Sequence, residues 1–145
     1  MQWLVKSYDE LSVVEFHKIL KARIDVFVVE QQCPYPELDN TDDRALHIWL
    51  EDNAVIVAYC RIFPSGVKYP EASIGRVLTT KKYRNKGWSR KLLLKALDEI
   101  KMKFNTEEVR ISAQDYLIGF YQSLGFQDTQ EKYLEDGIPH TEMIK

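Results

Sequence analysis

Residues 72–103, ASIGRVLTTKKYRNKGWSRKLLLKALDEIKMK, decide how this chain is read. Ser73–Thr80 alternates and is partly β-branched, which predicts a strand. Arg84-Asn85-Lys86-Gly87 is too polar for a core and predicts a loop. From Trp88 onward, Leu93, Leu94, Leu97 and Ile100 recur at helical spacing and predict an amphipathic helix. Between Lys81 and Lys95 stand seven Lys or Arg and no Asp or Glu, although the whole chain is formally −2. The excess is therefore local.

A strand that enters a helix through a basic glycine loop is a physical anion site. The first helical turn leaves backbone N–H groups unpaired, and the macrodipole adds partial positive charge there. Gly87 has no Cβ to keep an anion from the backbone. The dipole contributes only ~0.3–1 kcal/mol for an exposed charge. Each hydrogen bond to a charged oxygen adds roughly 1.5–3 kcal/mol, so several N–H groups on one diphosphate outweigh it. The competing reading is a solvated helix with a lysine-rich face, and the residues alone balance the two. The GxxxxGK[ST] order of a P-loop is absent, as is GxGxxG.

Composition narrows the class. A chain of 145 residues predicts one domain spanning 1–145. An apolar fraction of 45% and a charged fraction of 29% are ordinary for a soluble globular protein. No apolar run approaches the ~20 residues of a membrane helix, and the acids early in MQWLVKSYDEL do not suit a signal peptide. Cys33 and Cys60 are isolated, which points to a reducing cytoplasm. Three His without clustering predict no metal site.

Working outward, Trp3–Tyr8 predicts a first strand. Ser12-x-x-Glu15 is a capping box that starts a helix reaching about Ile24, with Phe16, Ile19, Leu20 and Arg23 on one face and His17 toward solvent. Val26-Val29 reads as a strand by propensity or as a second helix by its closeness to the first. Gln31–Arg44 is a loop, held from regular helix by Pro34 and Pro36. Its carboxylates from Glu37 to Asp43 lack the order of a calcium loop. They read either as solvated groups, the reading favoured for most of them, or as an acidic rim for a cationic amine. Ala45–Leu50 and Ala54–Ile62 predict a hairpin around Glu51-Asp52-Asn53. Phe63–Pro70 is a turn. Val109–Ala113 is a strand, Asp115–Leu124 a helix capped by Gly125, and the tail a strand, a turn at Glu135-Asp136-Gly137 and a last strand from His140.

Arg84-x-x-Gly87-x-Ser89 resembles the R/Q-x-x-G-x-G/A signature of the GNAT N-acetyltransferases, with Ser89 where that family prefers Gly or Ala. SAQDYLIGFYQSLGF resembles the second signature of the same superfamily, a strand entering a helix that ends F-Y-x-x-x-G-F. RIDVFVVEQQCPYPELDNTD and YLEDGIPHTEM are similar to the ElaA-like branch, so the resemblance covers nearly the whole chain. It implies an α+β fold with a mostly antiparallel central sheet flanked by helices, closed by a C-terminal β-hairpin. It implies acetyl-CoA as cosubstrate, its diphosphate held at Arg84, Asn85, Lys86, Gly87, Trp88 and Ser89, and its pantetheine paired with the strand edge at Val77, Leu78 and Thr79. It gives Tyr121 the position of the family's general acid. Read without the family, Tyr121 is a half-buried core aromatic whose hydroxyl caps a helix.

The resemblance further implies direct attack of an amine on the thioester. A lysine-like amine has a pKa of ~10.4, so making it neutral at pH 7 costs roughly 4.6 kcal/mol, and a general base is expected. Glu30, His47 and His140 are the candidates, with Glu30 ranked narrowly first because it lies near the loop that would line the acceptor side. His47 also reads as a satisfied core residue and His140 as loop packing. A phenol at ~10 protonates a thiolate of ~8.5 uphill by about 2 kcal/mol, so Tyr121 acts as a hydrogen-bond donor or as an acid with a lowered pKa. The acceptor is a small amine or a peptide or protein amine. Edge strands leave homodimer pairing open.

Two other readings remain. A coenzyme-A-binding interaction module would keep the glycine loop and need neither Tyr121 nor a base. A nucleic-acid binder would track phosphates with Lys81–Lys95, which the net charge of −2 disfavours.

Overall fold

Seven strands form one sheet in the order β1-β2-β3-β4-β5-β7-β6. The computed structural model describes residues 1–145: β1 Gln2–Ser7, α1 Val13–Ile24, β2 Leu46–Asp52, β3 Val55–Phe63, β4 Ala72–Thr79, α2 Trp88–Phe104, β5 Val109–Gln114, α3 Ile118–Gln122, β6 Gln127–Glu135 and β7 Ile138–Ile144. Every neighbouring pair is antiparallel except β4 and β5. This is the mostly antiparallel α+β architecture expected. The β2–β3 turn has Asn53 and Ala54 both at positive φ, and the β6–β7 turn has Asp136 and Gly137 so. Two such residues make a turn whose twist matches that of the flanking strands.

Two features of β4 open the sheet. Tyr59↔Leu78 is followed by Arg61↔Gly75, so Arg76 and Val77 stand opposite Cys60 alone. Two residues against one form a β-bulge, which bends the strand. Arg76 takes the left-handed φ of 51° there, and its guanidinium is held by the Glu37 carboxylate at 2.7 Å. Second, β4 pairs with β5 only at Ala72↔Val109 and Ser73↔Arg110. Beyond Ser73 the strands part, and β4 from Ile74 to Thr79 has no strand partner on its β5 side.

The larger core joins Leu92, Leu93, Ala96 and Ile100 of α2 to Ile48, Ile62 and Ile111 of the sheet and to Phe126 just before β6. Leu94, expected on that face, is half exposed, and Leu92 takes the buried place. A second core joins Ile19, Ala22 and Val26 to Trp49, Tyr59 and Leu78. Helix α1 starts at the expected capping box: Ser12 Oγ accepts from Glu15 N at 3.0 Å and Glu15 Oε1 from Ser12 N at 2.9 Å. Val26-Val29 takes the helical alternative and not the strand. Asp25–Glu30 continues α1 as a π-helix, with Gln31 N–H donating to Val26 C=O at 3.3 Å. The wider turn keeps Val26 buried and Phe27 packed against the same cluster, a burial that outweighs the strand propensity of the valines.

The acidic loop departs furthest from its expected solvation. Glu37 and Asp42 are buried, and so are Arg23 and Arg61. Arg23 donates to Glu37 Oε2 and Asp42 Oδ1, both at 2.7 Å. Arg61 donates to Asp42 Oδ1 at 2.8 Å and to both Asp39 oxygens. Burial opposes ionisation of Asp42, but the Arg23 and Arg61 charges and hydrogen bonds outweigh it and lower its pKa. Asp39 behaves likewise: burial raises it, and bonds from Arg61 and Thr41 bring it well below the usual carboxylate range. A buried carboxylate is tolerated only when paired in this way.

Candidate active site

The gap between β4 and β5 is a cleft of about 900 Å³. Pockets for coenzymes and drug-sized ligands run from roughly 300 to 1,000 Å³. Its wall takes in Val77, Leu78 and Thr79 of β4; Arg84, Asn85, Gly87, Trp88 and Ser89 of the following loop and helix start; Tyr121 of α3; Glu30 after α1; and His140 of β7. Lys86, an expected diphosphate contact, lies outside that wall and is exposed. His47 is also outside it.

The loop before α2 has the shape an anion needs. Asn85 and Gly87 both take positive φ, 62° and 82°. The first helical bond runs from Lys91 N–H to Gly87 C=O at 3.3 Å, so the N–H groups of Trp88, Ser89 and Arg90 have no partner within the helix. No side chain caps this end. A Cβ on Gly87 would meet nothing within 4 Å, so the glycine serves the backbone conformation and leaves open space beside it. Ser89, the departure from the family pattern, is accounted for: its Oγ lies 2.7 Å from Thr79 Oγ1 and ties the helix start to the end of β4.

Arg84 joins three segments. Its Nε donates to Thr79 C=O at 2.8 Å, and its terminal nitrogen reaches Glu30 Oε2 at 2.6 Å. Glu30, ranked first as a base, is thus engaged by a guanidinium across the mouth of the cleft. About a third of each side chain is exposed, so the pair is screened by water.

Tyr121 is buried in the cleft wall, with Phe126 edge-on at 5.8 Å and Phe120 at 5.3 Å. Helix α3 is shorter than expected. Asp115–Leu117 is a 3-10 turn, Ile118–Gln122 is helical, and the chain turns out at Gly125, φ 96°, where Phe126 N–H donates to Tyr121 C=O at 3.1 Å. Burial, followed by the nearby Cys60 and Tyr116, pushes the Tyr121 phenol well above its ordinary value. Of the two expected roles, a raised phenol suits the hydrogen-bond donor and not the acid with a lowered pKa.

The two histidines separate. His47 is fully buried, with Nδ1 2.7 Å from the Tyr59 hydroxyl and Nε2 3.0 Å from Asp42 C=O. Burial lowers its pKa, and it is a satisfied core residue. His140 stays at the cleft. Its Nδ1 lies 2.7 Å from Ile138 C=O and its Nε2 3.2 Å from Glu135 Oε2, with the ring stacked on Tyr133. Arg61, Ser112, Gln114 and Glu135 also line the cleft, and only Arg61 lies outside the stretches quoted for the resemblance. Their place in the site becomes readable once the register is known: Gln114 faces His140 across β5 and β7. No group of three His, Cys, Asp or Glu is arranged to hold a metal ion, and no helix is long and apolar enough to cross a membrane.

The chain belongs to the family described as "Acetyltransferase (GNAT) domain", which matches residues 6–145. Protein ElaA of Escherichia coli is 36% identical over 149 residues, covering 100% of this chain and 96% of that protein. Its crystal structure superposes with a TM-score of 0.91 over 100% of this chain and 99% of that one. A UPF0039 protein of Schizosaccharomyces pombe is 39% identical over 145 residues, 99% of this chain and 95% of its own. An acyl-CoA N-acyltransferase from Pseudomonas aeruginosa, 33% identical, has a TM-score of 0.95 over 99% and 98%. The chain is thus an ElaA-like member of the GNAT superfamily, and its family supports acyl-CoA-dependent N-acyl transfer as its class of chemistry.

Proposed function

We propose that the protein transfers an acetyl group from acetyl-CoA to a primary amine by direct attack. The observation that carries this reading is one continuous cleft holding an uncapped helix start, an unpartnered strand edge and a buried phenol. The diphosphate sits on the N–H groups of the Arg84–Ser89 loop, Lys86 adding charge from outside the cleft. Pantetheine runs along Val77, Leu78 and Thr79, where the backbone N–H groups polarise the thioester carbonyl.

The acceptor ammonium first gives up a proton, and the neutral amine adds to the thioester carbon. The C–S bond breaks, and sulfur leaves as a thiolate that accepts a hydrogen bond from Tyr121 O–H. Donating that proton outright would be uphill by about 2 kcal/mol even for an unperturbed phenol. The sulfur is therefore neutralised by the second proton of the amine nitrogen, and Tyr121 stabilises charge. Glu30 and His140 are the proposed bases. Glu30 serves only after Arg84 turns from it to the diphosphate.

The acceptor is a small amine or the amine of a peptide or protein. The reaction belongs in a reducing cytoplasm, in keeping with the free thiols Cys33 and Cys60. Two copies would pair through β1 or β6, the open edges of the sheet. Calorimetric titration with acetyl-CoA, coenzyme A and ATP tests the reading. Saturable binding of both CoA species and not of ATP supports it, and release of free thiol with a panel of primary amines then separates a transferase from a binding module. A folded sample that binds neither CoA species overturns it.

A further inference from the structure

We propose that Glu135 is a positioning residue for base catalysis by His140, fixing the imidazole at the cleft and draining the acceptor's proton to solvent. This rests on the acyl-transfer reading above. His140 and Glu135 come from the two arms of the β6–β7 hairpin, and both line the cleft between β4 and β5.

The geometry supplies each part of a proton path. Both ring nitrogens face acceptor oxygens: Nδ1 the Ile138 carbonyl at 2.7 Å and Nε2 the Glu135 carboxylate at 3.2 Å. An imidazolium donates from both nitrogens, so the ion formed when His140 takes a proton is satisfied at both ends. The Tyr133 ring stacks on it at 5.9 Å and 20°, which fixes its plane. The imidazole is buried while half of the Glu135 side chain is exposed. The pair therefore joins the closed site to water. The hairpin tip is anchored from the other side of the cleft, where Cys33 Sγ contacts the Asp136 carbonyl at 3.5 Å.

The proton balance is complete. An ammonium nitrogen loses two protons on becoming an amide. The first passes to His140 Nε2 while the half-exposed Glu135 carboxylate is turned to solvent, and Glu135, on swinging back, takes it from the same nitrogen to water. The second ends on the coenzyme A sulfur. Glu30 takes no part in this path and stays with Arg84.

The groups around His140 are few in kind. Glu135 and the Tyr133 phenol come from β6, Glu142 lies two residues along β7, and the uncharged Gln114 pairs with it from β5. Asp115 accepts a hydrogen bond from Thr141, and Asp136 closes the turn. Glu135 is the one carboxylate paired with the ring.

Imidazole ¹⁵N resonances of the full chain, bound to coenzyme A and titrated with acid, read the path directly, with His140→Gln assigning the signal. Coenzyme A binding in the same samples reports separately on the underlying function. Glu135→Gln is expected to move the His140 midpoint to lower pH, because the ring loses the carboxylate 3.2 Å from Nε2, and Glu135→Asp to restore part of it. The displacement should shrink in 1 M salt, where the screening length is about 3 Å. With an amine that turns over, the acid limb of kcat/KM should follow the same direction, and His140→Gln should lower kcat by ~10²-fold with coenzyme A affinity unchanged. An unmoved midpoint in Glu135→Gln, or a His140→Gln enzyme with normal kcat, overturns the proposal even where coenzyme A binds.

Discussion

The two charged loops beside the cleft handle charge in opposite ways. Lys81–Arg90 is basic and has its helix start uncapped and exposed, with Arg84 bridging to Glu30 and Arg90 donating to Ser123. Gln31–Arg44 is acidic and turns Glu37 and Asp42 inward onto Arg23 and Arg61. By composition both are ligand-attracting loops. The first leaves its helix-start N–H groups free for a ligand at the cleft, while the second has spent its carboxylates, all but the exposed Asp43, on internal pairs with Arg23, Arg61 and Arg76. Unpaired donors and acceptors, more than charge density, mark a binding surface.

The sharpest way to break this contrast is Asp42→Ala, which strips a shared acceptor from two buried arginines. Stability should fall by about 3–5 kcal/mol in denaturant unfolding, with coenzyme A affinity of the folded fraction unchanged. A loss below 1 kcal/mol would make the acidic loop the solvated segment its composition suggests. The same network predicts an acid response. Asp39 and Asp42 are lowered in the folded chain, so the stability they contribute is complete above their unfolded value near pH ~4 and is lost as pH falls below it. Lys68→Ala, which removes only a partly exposed partner of Asp39, should leave most of that acid response intact.

Next in size is Tyr121→Phe, expected to lower kcat by ~10²-fold while coenzyme A affinity stays within twofold. Equal loss in both would make the phenol a packing residue. Gly87→Glu follows. A side chain there meets no neighbour but must adopt left-handed φ at a cost of roughly 1–2 kcal/mol, and its charge opposes a diphosphate. Coenzyme A binding should weaken at least ~10-fold, the worth of one charge-assisted hydrogen bond.

The smallest effect is the most discriminating. Glu30→Gln frees Arg84 and removes a negative charge from the mouth of the cleft. Coenzyme A should bind about 2–5-fold more tightly at low salt, since an exposed pair contributes only ~0.2–1 kcal/mol. If kcat falls ~10²-fold at the same time, Glu30 is the base. An unchanged kcat leaves that role to His140.

Much of this was legible in the chain. The capping box at Ser12 and Glu15, the turns at Asn53 and Gly137, the strand–loop–helix of 72–103 and the exit at Gly125 all depend on residues within a few positions of one another. Local propensity and capping decide such features. The π-helical end of α1 was not legible, because three valines favour a strand until a core demands Val26 and Phe27 on one face. Nor was the burial of Glu37 and Asp42, whose partners lie up to 39 residues away in sequence.

By itself the sequence determined the class of fold, the glycine-led helix start and the family. Each is written in short-range patterns of apolar spacing, backbone permissiveness and end groups. The tertiary structure alone decided which charged residues are free. It brought Arg84 to Glu30 across 54 positions, closed Asp42 between Arg23 and Arg61, and put Glu135 against His140 at the cleft. Whether a charge is spent or available depends on what faces it in space, and the long-range pairing of strands sets that.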